Sequence, residues 1–364
     1  MKHRKKEIAF YTVTIISCLI AMIIVVIAAL LIYDKVKENG GQDNREKLDE
    51  QEVLAPLPVS YSQTEVDAMV AAAVEKAVSE TAVKVKEETK QELLDSIAYA
   101  LSTGQTAMQT LRPFYPDKLV VSSGGVYHFV PINRDLEMHE RLQENLQVLE
   151  SGEFQYVEDG QVVSHKGIDV SRYQGKIDWK QVAEDGVEYV IIRLGIRGYG
   201  AEGNLALDDM FVKNIEGAQA AGLKVGVYFF TQALTVDEAK QEARFVMEQL
   251  APYKIDYPVV LDVEKVSAEG ARMNALDATQ RTDVAIAFLE EIKAAGYKPM
   301  IYANTEMFSV LLEIDRLEAY DKWFAYYGEE MYFPYDYAMW QYTEKGTVAG
   351  IKGNVDMNIS FKEW

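Results

Sequence analysis

Hydrophobic residues are distributed unevenly along the 364-residue chain, and the first dense run lies near its start. Residues 8–33 contain no charged side chain and consist mainly of Ile, Val, Leu and Ala. A helix of that length spans about 39 Å, which exceeds the roughly 30 Å hydrocarbon core of a bilayer. Residues 1–7 form a basic tail, and the positive-inside rule places such a tail in the cytoplasm. The pattern predicts a single-pass cell-membrane protein whose remaining chain is extracellular.

Two other interpretations of this run are disfavoured by its length. A cleaved signal peptide has an apolar stretch of only about 7–15 residues. A lipoprotein signal at Cys18 would leave fifteen further, mostly apolar residues behind the modified cysteine.

The next two segments have the patterns of a linker and of a helix. Residues 34–63 are polar and charged and include Gly40, Gly41, Pro56 and Pro58, which predicts a flexible linker. Residues 64–112 are rich in Ala, Val, Glu and Lys, with apolar side chains near every fourth position. We interpret this segment as a helical stalk with Thr64 as its N-cap. A surface helix of a globular domain and a homodimer through a coiled coil are open alternatives.

Residues 113–164 are predicted to form a small α+β spacer. Gly124-Gly125 and Asp159-Gly160 each separate two strand-like runs, as in β-hairpins. Between these hairpins, residues 135–149 have leucines at helical spacing and predict a helix.

Strand and helix patterns alternate through residues 165–364. The eight strand-like segments are 167–171, 189–195, 224–231, 257–264, 298–304, 322–327, 337–343 and 354–360. Helical patterns fall at 179–184, 208–221, 236–250, 279–295 and 306–312. This alternation predicts an α/β fold, a modified TIM-like β/α barrel at the small end of its size range. An open doubly wound sheet is the alternative, but no Gly-rich phosphate fingerprint follows any strand.

Charge and composition narrow the chemistry of this region. The formal net charge of -20 argues against a nucleic acid partner, because phosphate binding depends on clustered Lys and Arg. No His or Cys occurs after His165, so a Ser–His–Asp triad, a thiolate nucleophile and an ordinary zinc site are excluded there. We expect no metal and no cofactor. Carboxyl groups, Lys and Tyr remain as catalytic candidates.

Carboxyl groups recur at predicted strand ends. Asp262 and Glu264 share one face of the fourth strand, because side chains alternate along a strand. Asp169 lies in the first strand and Asp356 in the last, and these two strands are neighbours if a barrel closes. Like charges push the pKa values of such carboxyl groups apart, which suits general acid chemistry and glycoside hydrolysis. The aromatic side chains on strands, Tyr228, Tyr302 and Trp340, are candidates for stacking on sugar rings.

Four motifs in order resemble one enzyme family. They are Gly167–Gln174 (GIDVSRYQ), Val260–Glu264 (VLDVE), Trp340–Thr343 (WQYT) and Gly353–Asn358 (GNVDMN). They look like those of the family 25 glycoside hydrolases, the lysozyme-type N-acetylmuramidases. The resemblance implies a modified β/α barrel that cleaves the β-1,4 bond between N-acetylmuramic acid and N-acetylglucosamine in peptidoglycan glycan strands.

The resemblance also implies roles for individual residues. Glu264 matches the general acid, and Asp262 matches the carboxylate that stabilises the intermediate formed by the substrate's own acetamido group. Asp169 and Asp356 match two further acidic groups of the site. Tyr228, Tyr302 and Trp340 match positions that line the groove. Phe229 departs from the His that many members carry at this position.

Two alternative functions stay open from the sequence. One is a non-catalytic scaffold that binds peptidoglycan in the same groove, and the other is a barrel hydrolase of another amino-sugar polymer. Intact Asp262 and Glu264 argue against the scaffold. Division, wall remodelling, conjugation and secretion-apparatus assembly are each roles that suit a tethered muramidase.

Overall fold

The computed structural model describes residues 62–268 and 270–364. The chain divides into two compact units, and the boundary falls between Gln105 and Thr106. The predicted tail, membrane helix and nearly all of the predicted linker lie outside the described residues. Within the described ranges, no helix is both long and apolar enough to cross a bilayer.

One long helix, α1 (Gln63–Ser102), makes up the described part of the first unit. Its N-cap is Ser62, two residues before the predicted Thr64. The Ser62 hydroxyl accepts from the Glu65 amide at 3.3 Å, and the Glu65 carboxylate accepts from the Ser62 amide at 2.7 Å. The helix ends before Gly104, whose φ of +87° is left-handed, so it is shorter than the predicted segment 64–112. Its 40 residues span about 60 Å.

The second unit begins with two short antiparallel sheets. Its first elements are α2 (Ala107–Leu111), β1 (Lys118–Ser123), β2 (Val126–Pro131), β3 (Leu146–Val148), β4 (Phe154–Glu158) and β5 (Gln161–Val162). The hairpin β1–β2 turns at Gly124 and Gly125, both at positive φ, as the sequence predicts. Strands β3, β4 and β5 form the other sheet.

The helix predicted over residues 135–149 is wrong. That stretch is extended or turned, with a 3₁₀ turn at Gln143–Asn145 followed by β3. Met138 bridges to Tyr335, and the leucines at 136 and 146 pack against the barrel core. The extended chain therefore packs its apolar side chains against the barrel, although their spacing in the sequence also fits a helix.

An eight-stranded closed barrel follows. Its strands are β6 (His165–Val170), β7 (Tyr189–Arg197), β9 (Lys224–Phe230), β10 (Val259–Asp262), β11 (Pro299–Asn304), β12 (Asp321–Ala325), β13 (Met339–Gly346) and β14 (Val355–Ser360). A short strand β8 (Leu205–Leu207) adds to β7. Pairing of β6 with both β7 and β14 closes the sheet, so the TIM-like barrel is confirmed and the open sheet is excluded.

The barrel differs from a regular one in its last strand and its helices. Strand β14 runs antiparallel to both neighbours, whereas the other seven are parallel. The helices are α3 (Trp179–Glu184), α4 (Phe211–Ala220), α5 (Val236–Leu250) and α6 (Ala278–Ala294), and a π-helical turn covers Met307–Leu311. The later strands are covered instead by residues 106–164, which belong to the same compact unit as the barrel. The predicted spacer is thus packed on the barrel wall.

Side chains alternate between the barrel interior and its outer layer. Tyr189, Ile191, Val260, Met300 and Trp323 fill the interior, while the residues between them pack outward against the helices. Glycine is required at position 167 of β6, because a Cβ there would lie 2.0 Å from the Tyr189 ring. The interior is therefore solid, and a site can open only at its ends.

Candidate active site

Four carboxyl groups meet at one end of the barrel. Asp169 and Asp262 lie at or next to the C-terminal ends of β6 and β10, and Glu264 follows two residues later. Because β14 is antiparallel, its first residues lie at that same rim, and Asp356 pairs directly with Asp169. The electrostatic influence of these groups on one another's pKa values shows that the four form one cluster.

Asp169 is held by two amides. Its Oδ2 accepts from Gln341 Nε2 at 2.8 Å and from Asn358 Nδ2 at 2.9 Å. The indole Nε1 of Trp323 donates to Asn358 Oδ1 at 2.9 Å. Because an indole N–H can only donate, this bond turns the Asn358 NH₂ group towards Asp169. Burial nevertheless raises the pKa of Asp169 well above its usual range, and the charge of Asp356 adds to that rise.

Asp262 is buried with one oxygen unpartnered. Its Oδ1 has no hydrogen-bond partner among the described residues. Burial raises its pKa well above the usual range, and the neighbouring Glu264 raises it further. Arg193 opposes the rise, but its guanidinium is engaged by Asp208 at 2.6 and 2.7 Å. Asp262 therefore offers an acceptor, or a proton, to whatever group enters the site.

Glu264 lies just beyond the end of β10. The backbone bond from the Val263 amide to the Tyr302 carbonyl, 3.0 Å long, continues the strand alternation and keeps Glu264 on the interior face. Burial raises the pKa of Glu264, the charge of Asp356 raises it further, and a hydrogen bond with Tyr302 opposes the rise. Burial also raises the pKa of Asp356 to about 6. A carboxyl group that keeps its proton beside ionisable acids suits general acid chemistry.

The three aromatic candidates lie in different places in the barrel. Tyr302 lies in the site, where its hydroxyl donates to Gln341 Oε1 at 2.8 Å, and burial raises its pKa. Tyr228 lies inside the barrel with its ring 6.4 Å from that of Trp323. Contrary to what the resemblance implies, Trp340 does not line the groove. Its neighbour Gln341 faces inward, so alternation turns Trp340 outward, where it is fully buried and donates to the Tyr326 carbonyl at 2.8 Å.

Several site residues were not predicted from the sequence. Gln341 and Asn358 hold Asp169, and the Tyr327 hydroxyl donates to Gln341 at 2.9 Å. The period of two along a strand would have found Asn358, two residues after Asp356. Phe229, the position that departs from the family pattern, packs outward against Phe288. Among the described residues, no group of three or more His, Cys, Asp or Glu is arranged to hold a metal ion.

Comparison with known proteins identifies the family of this barrel. The family model described as Glycosyl hydrolases family 25 matches residues 168–351, about half of the chain. The chain belongs to glycosyl hydrolase family 25. The resemblance read from the four motifs is confirmed, and the barrel is a glycoside hydrolase domain.

Relatives of this family 25 domain come from several bacteria. YegX of Escherichia coli K12, an uncharacterized protein, is 30% identical over 203 residues, which cover 53% of this chain and 68% of YegX. The autolytic lysozyme of Clostridium acetobutylicum is 27% identical over 194 residues, covering 53% of this chain and 55% of that protein.

A solved structure supports the fold. The modular autolysin LytC from Streptococcus pneumoniae, in complex with a synthetic peptidoglycan ligand, superposes with a TM-score of 0.50 at 24% identity. The match covers 59% of this chain and 52% of that one, so this chain spans about half the length of LytC.

Proposed function

We propose that this protein hydrolyses peptidoglycan, cleaving the β-1,4 bond between N-acetylmuramic acid and N-acetylglucosamine. The proposal depends most on one observation, the carboxyl cluster in which the pKa of Glu264 is raised beside Asp262. The curated lysozyme relative and the peptidoglycan ligand of LytC agree with this substrate.

Each carboxyl group has a distinct part in the proposed reaction. Glu264 donates its proton to the leaving glycosidic oxygen. The acetamido oxygen of the muramic acid attacks the anomeric carbon, a substrate-assisted variant of glycoside hydrolysis. Asp262, with its unpartnered oxygen, accepts a hydrogen bond from the acetamido N–H and stabilises the positive charge that develops on the acetamido group. Water then attacks the same anomeric carbon, the bond from that carbon to the acetamido oxygen breaks, and the water gives a proton back to the Glu264 carboxylate. Asp169 and Asp356 set the electrostatics around this pair.

The substitution Glu264→Gln tests the assignment. We expect the purified full chain to release new muramic reducing ends from peptidoglycan, and Glu264→Gln to lower that rate by about 10²–10⁴-fold, the usual contribution of a general acid. Glu216→Gln, at an exposed residue of α4, is the matched control and should behave as the parent. Thermal unfolding of each variant checks that the fold is intact.

Three outcomes would count against the proposal. If the parent binds peptidoglycan without cleaving it, the protein is a scaffold. If it cleaves another amino-sugar polymer instead, the substrate assignment fails. If Glu264→Gln keeps the parent rate, Glu264 is not the general acid.

We also propose that the enzyme is tethered to the cell membrane by residues 8–33, with its catalytic domain extracellular. The uncharged apolar run behind a basic tail supports this. Helix α1 exposes a series of apolar side chains, including Val70, Val74 and Val78, which supports a homodimer through this helix. Sedimentation of the full chain against residues 106–364 tests the dimer, because only the longer chain should self-associate.

A further inference from the structure

A cavity of about 270 Å³ opens beside Glu264, between the barrel rim and the first elements of the second unit. This volume is near the lower end of the range for small-molecule sites, about 300–1,000 Å³. One wall comes from α2 and β1, through Met108, Arg112, Val121 and Ser122. The opposite wall consists of residues in or just beyond the C-terminal ends of β10, β11 and β12. The first wall precedes residue 168, where the match to family 25 begins, so it is a feature of this chain rather than of the family domain.

The position of the cavity relates it to one side of the scissile bond. Of the four clustered carboxyl groups, only Glu264 lines it, together with Tyr302. Asp262, which is assigned to the sugar whose anomeric carbon reacts, lies outside it. Because Glu264 gives its proton to the leaving oxygen, a space that Glu264 lines and Asp262 does not is assigned to the leaving sugar.

The charges of the lining favour a neutral ligand. The cavity lining contains one cation, Arg112, and two carboxyl groups, Glu264 and Glu306. Glu306 is already bound by Ser123 Oγ at 2.6 Å and by Lys265 Nζ at 3.0 Å. An acidic ligand, such as a muramic acid lactyl group or a peptide carboxylate, would face two carboxyl groups and a single guanidinium that a Glu330 oxygen already approaches to 3.6 Å. N-acetylglucosamine carries no charge.

Arg112 provides a hydrogen-bond donor without a partner. Its side chain is 9% exposed, and its guanidinium carbon lies 3.5 Å from the centre of the Tyr332 ring. One terminal nitrogen, Nη1, donates to the Tyr326 hydroxyl at 2.7 Å and lies 3.6 Å from a Glu330 oxygen. The Nε group is buried without any hydrogen-bond partner among the described residues. A buried, unsatisfied N–H is costly, and an acceptor oxygen that came within reach of it on ligand binding would recover that cost.

Apolar and aromatic side chains also line the cavity, and such a lining suits a sugar. They include Val120, Val121, Tyr326 and Tyr327, and Tyr327 is 54% exposed. Rings of this kind stack on the apolar faces of sugars, while Asn304 and Ser122 offer hydrogen-bonding groups at the edges.

We propose that this cavity is a subsite for the leaving N-acetylglucosamine residue, and that residues 107–122 make it. The inference rests on the proposed function, because the leaving sugar is N-acetylglucosamine only if the enzyme is a muramidase. The segment before the barrel thus acts as part of the substrate-binding surface.

Two substrates with the same reacting sugar test the subsite. One is a tetrasaccharide of alternating N-acetylglucosamine and N-acetylmuramic acid, and the other is an aryl glycoside of the disaccharide that ends in N-acetylmuramic acid. Ser122→Trp fills the cavity from β1, and Met108→Trp fills it from α2. We expect each variant of the full chain to lose about tenfold or more in kcat/KM on the tetrasaccharide and to keep the parent value on the aryl glycoside.

The control variant separates this effect from damage to the hairpin. Val126→Trp places the same side chain at an exposed position of β2 that does not line the cavity, and it should match the parent on both substrates. Equal losses on both substrates, or no loss on either, would overturn the subsite. A parent that cleaves neither substrate would instead refute the proposed function, so the two failures are distinguishable.

Discussion

At the residue scale, the protein buries four acidic side chains where solvation of their charges is poor. Burial is the largest cause of the raised pKa for Asp169, Asp262, Glu264 and Asp356 alike. Two amides offset the effect at Asp169, but one oxygen of Asp262 has no protein partner among the described residues. A folded protein tolerates such a group because selection for activity outweighs its cost in stability.

The coupling of Asp356 to Glu264 predicts a change in pH dependence. Glu264 must be protonated to act, so activity falls as the pH rises through its pKa. Above about pH 6 the Asp356 carboxylate is charged, and that charge raises the pKa of Glu264. We expect Asp356→Asn to shift the alkaline limb of the kcat/KM profile to lower pH.

The pH profile needs a charge-matched control. Asp209→Asn removes a carboxylate that is 81% exposed, and it should leave the limb in place. An alkaline limb that stays fixed or moves upward in Asp356→Asn would show that Asp356 does not act on the pKa of Glu264.

At the element scale, the two small sheets replace helices that the barrel lacks. The Phe154 ring of β4 stacks on Tyr342 of β13 at 4.2 Å between centroids, and the Val120 amide of β1 donates to the Tyr332 hydroxyl at 2.6 Å. Few helices follow β11, so these contacts cover the apolar outer face of the later strands. A β/α barrel needs such a layer because both faces of its sheet are apolar.

This packing predicts where the chain can be truncated. Residues 106–364 should remain soluble and active, because they form one compact unit. Residues 165–364, the catalytic barrel expected from the sequence, should lose about 10 °C or more in thermal midpoint. Several buried apolar side chains are removed, each contributing about 1.5–3 kcal/mol, and each kcal/mol corresponds to about 2–4 °C. Equal midpoints for the two fragments would show that residues 106–164 add no stability.

At the scale of the whole molecule, the net charge and the proposed tether have opposite effects on how the enzyme reaches its substrate. The chain carries a formal net charge of -20, so electrostatic attraction does not bring it to an anionic cell wall. A membrane anchor would keep the enzyme at its substrate without such attraction. The long helix α1 and the catalytic unit follow the proposed anchor in sequence, the order expected of a tethered enzyme.

Cell fractionation tests this arrangement. We expect the full chain to stay in the membrane pellet after carbonate washing, because about 26 apolar residues bind the hydrocarbon core. A chain that lacks residues 1–34 should appear in the soluble fraction and keep its peptidoglycan activity. Release of the full chain by the wash would refute the anchor.

Patterns with a strict period were read correctly from the sequence. All eight barrel strands and most of the helices in residues 165–364 lie where the alternating patterns placed them. Gly222 and Gly296, both at positive φ, follow α4 and α6, because glycine adopts the left-handed conformation that ends a helix. Asp169 and Asp356 were expected to meet across the closure, and they pair in register.

Local spacing failed where contacts distant in sequence decide the conformation. The leucines of residues 135–149 fit a helix, yet the chain is extended there because it packs on the barrel. Tryptophan is a residue type that often stacks on sugars, but the face of β13 on which Trp340 lies depends on the register of β13 with β12 and β14.

The sequence by itself determined the barrel, the family and the four acidic positions, because these follow from periodicity and from motifs a few residues long. Tertiary structure alone decided which side chains surround each acid, that Trp340 is buried, and that Ser122 lies across a cavity from Tyr326. The physical reason is that sheet closure and packing bring together residues some two hundred positions apart, and no local pattern records that proximity.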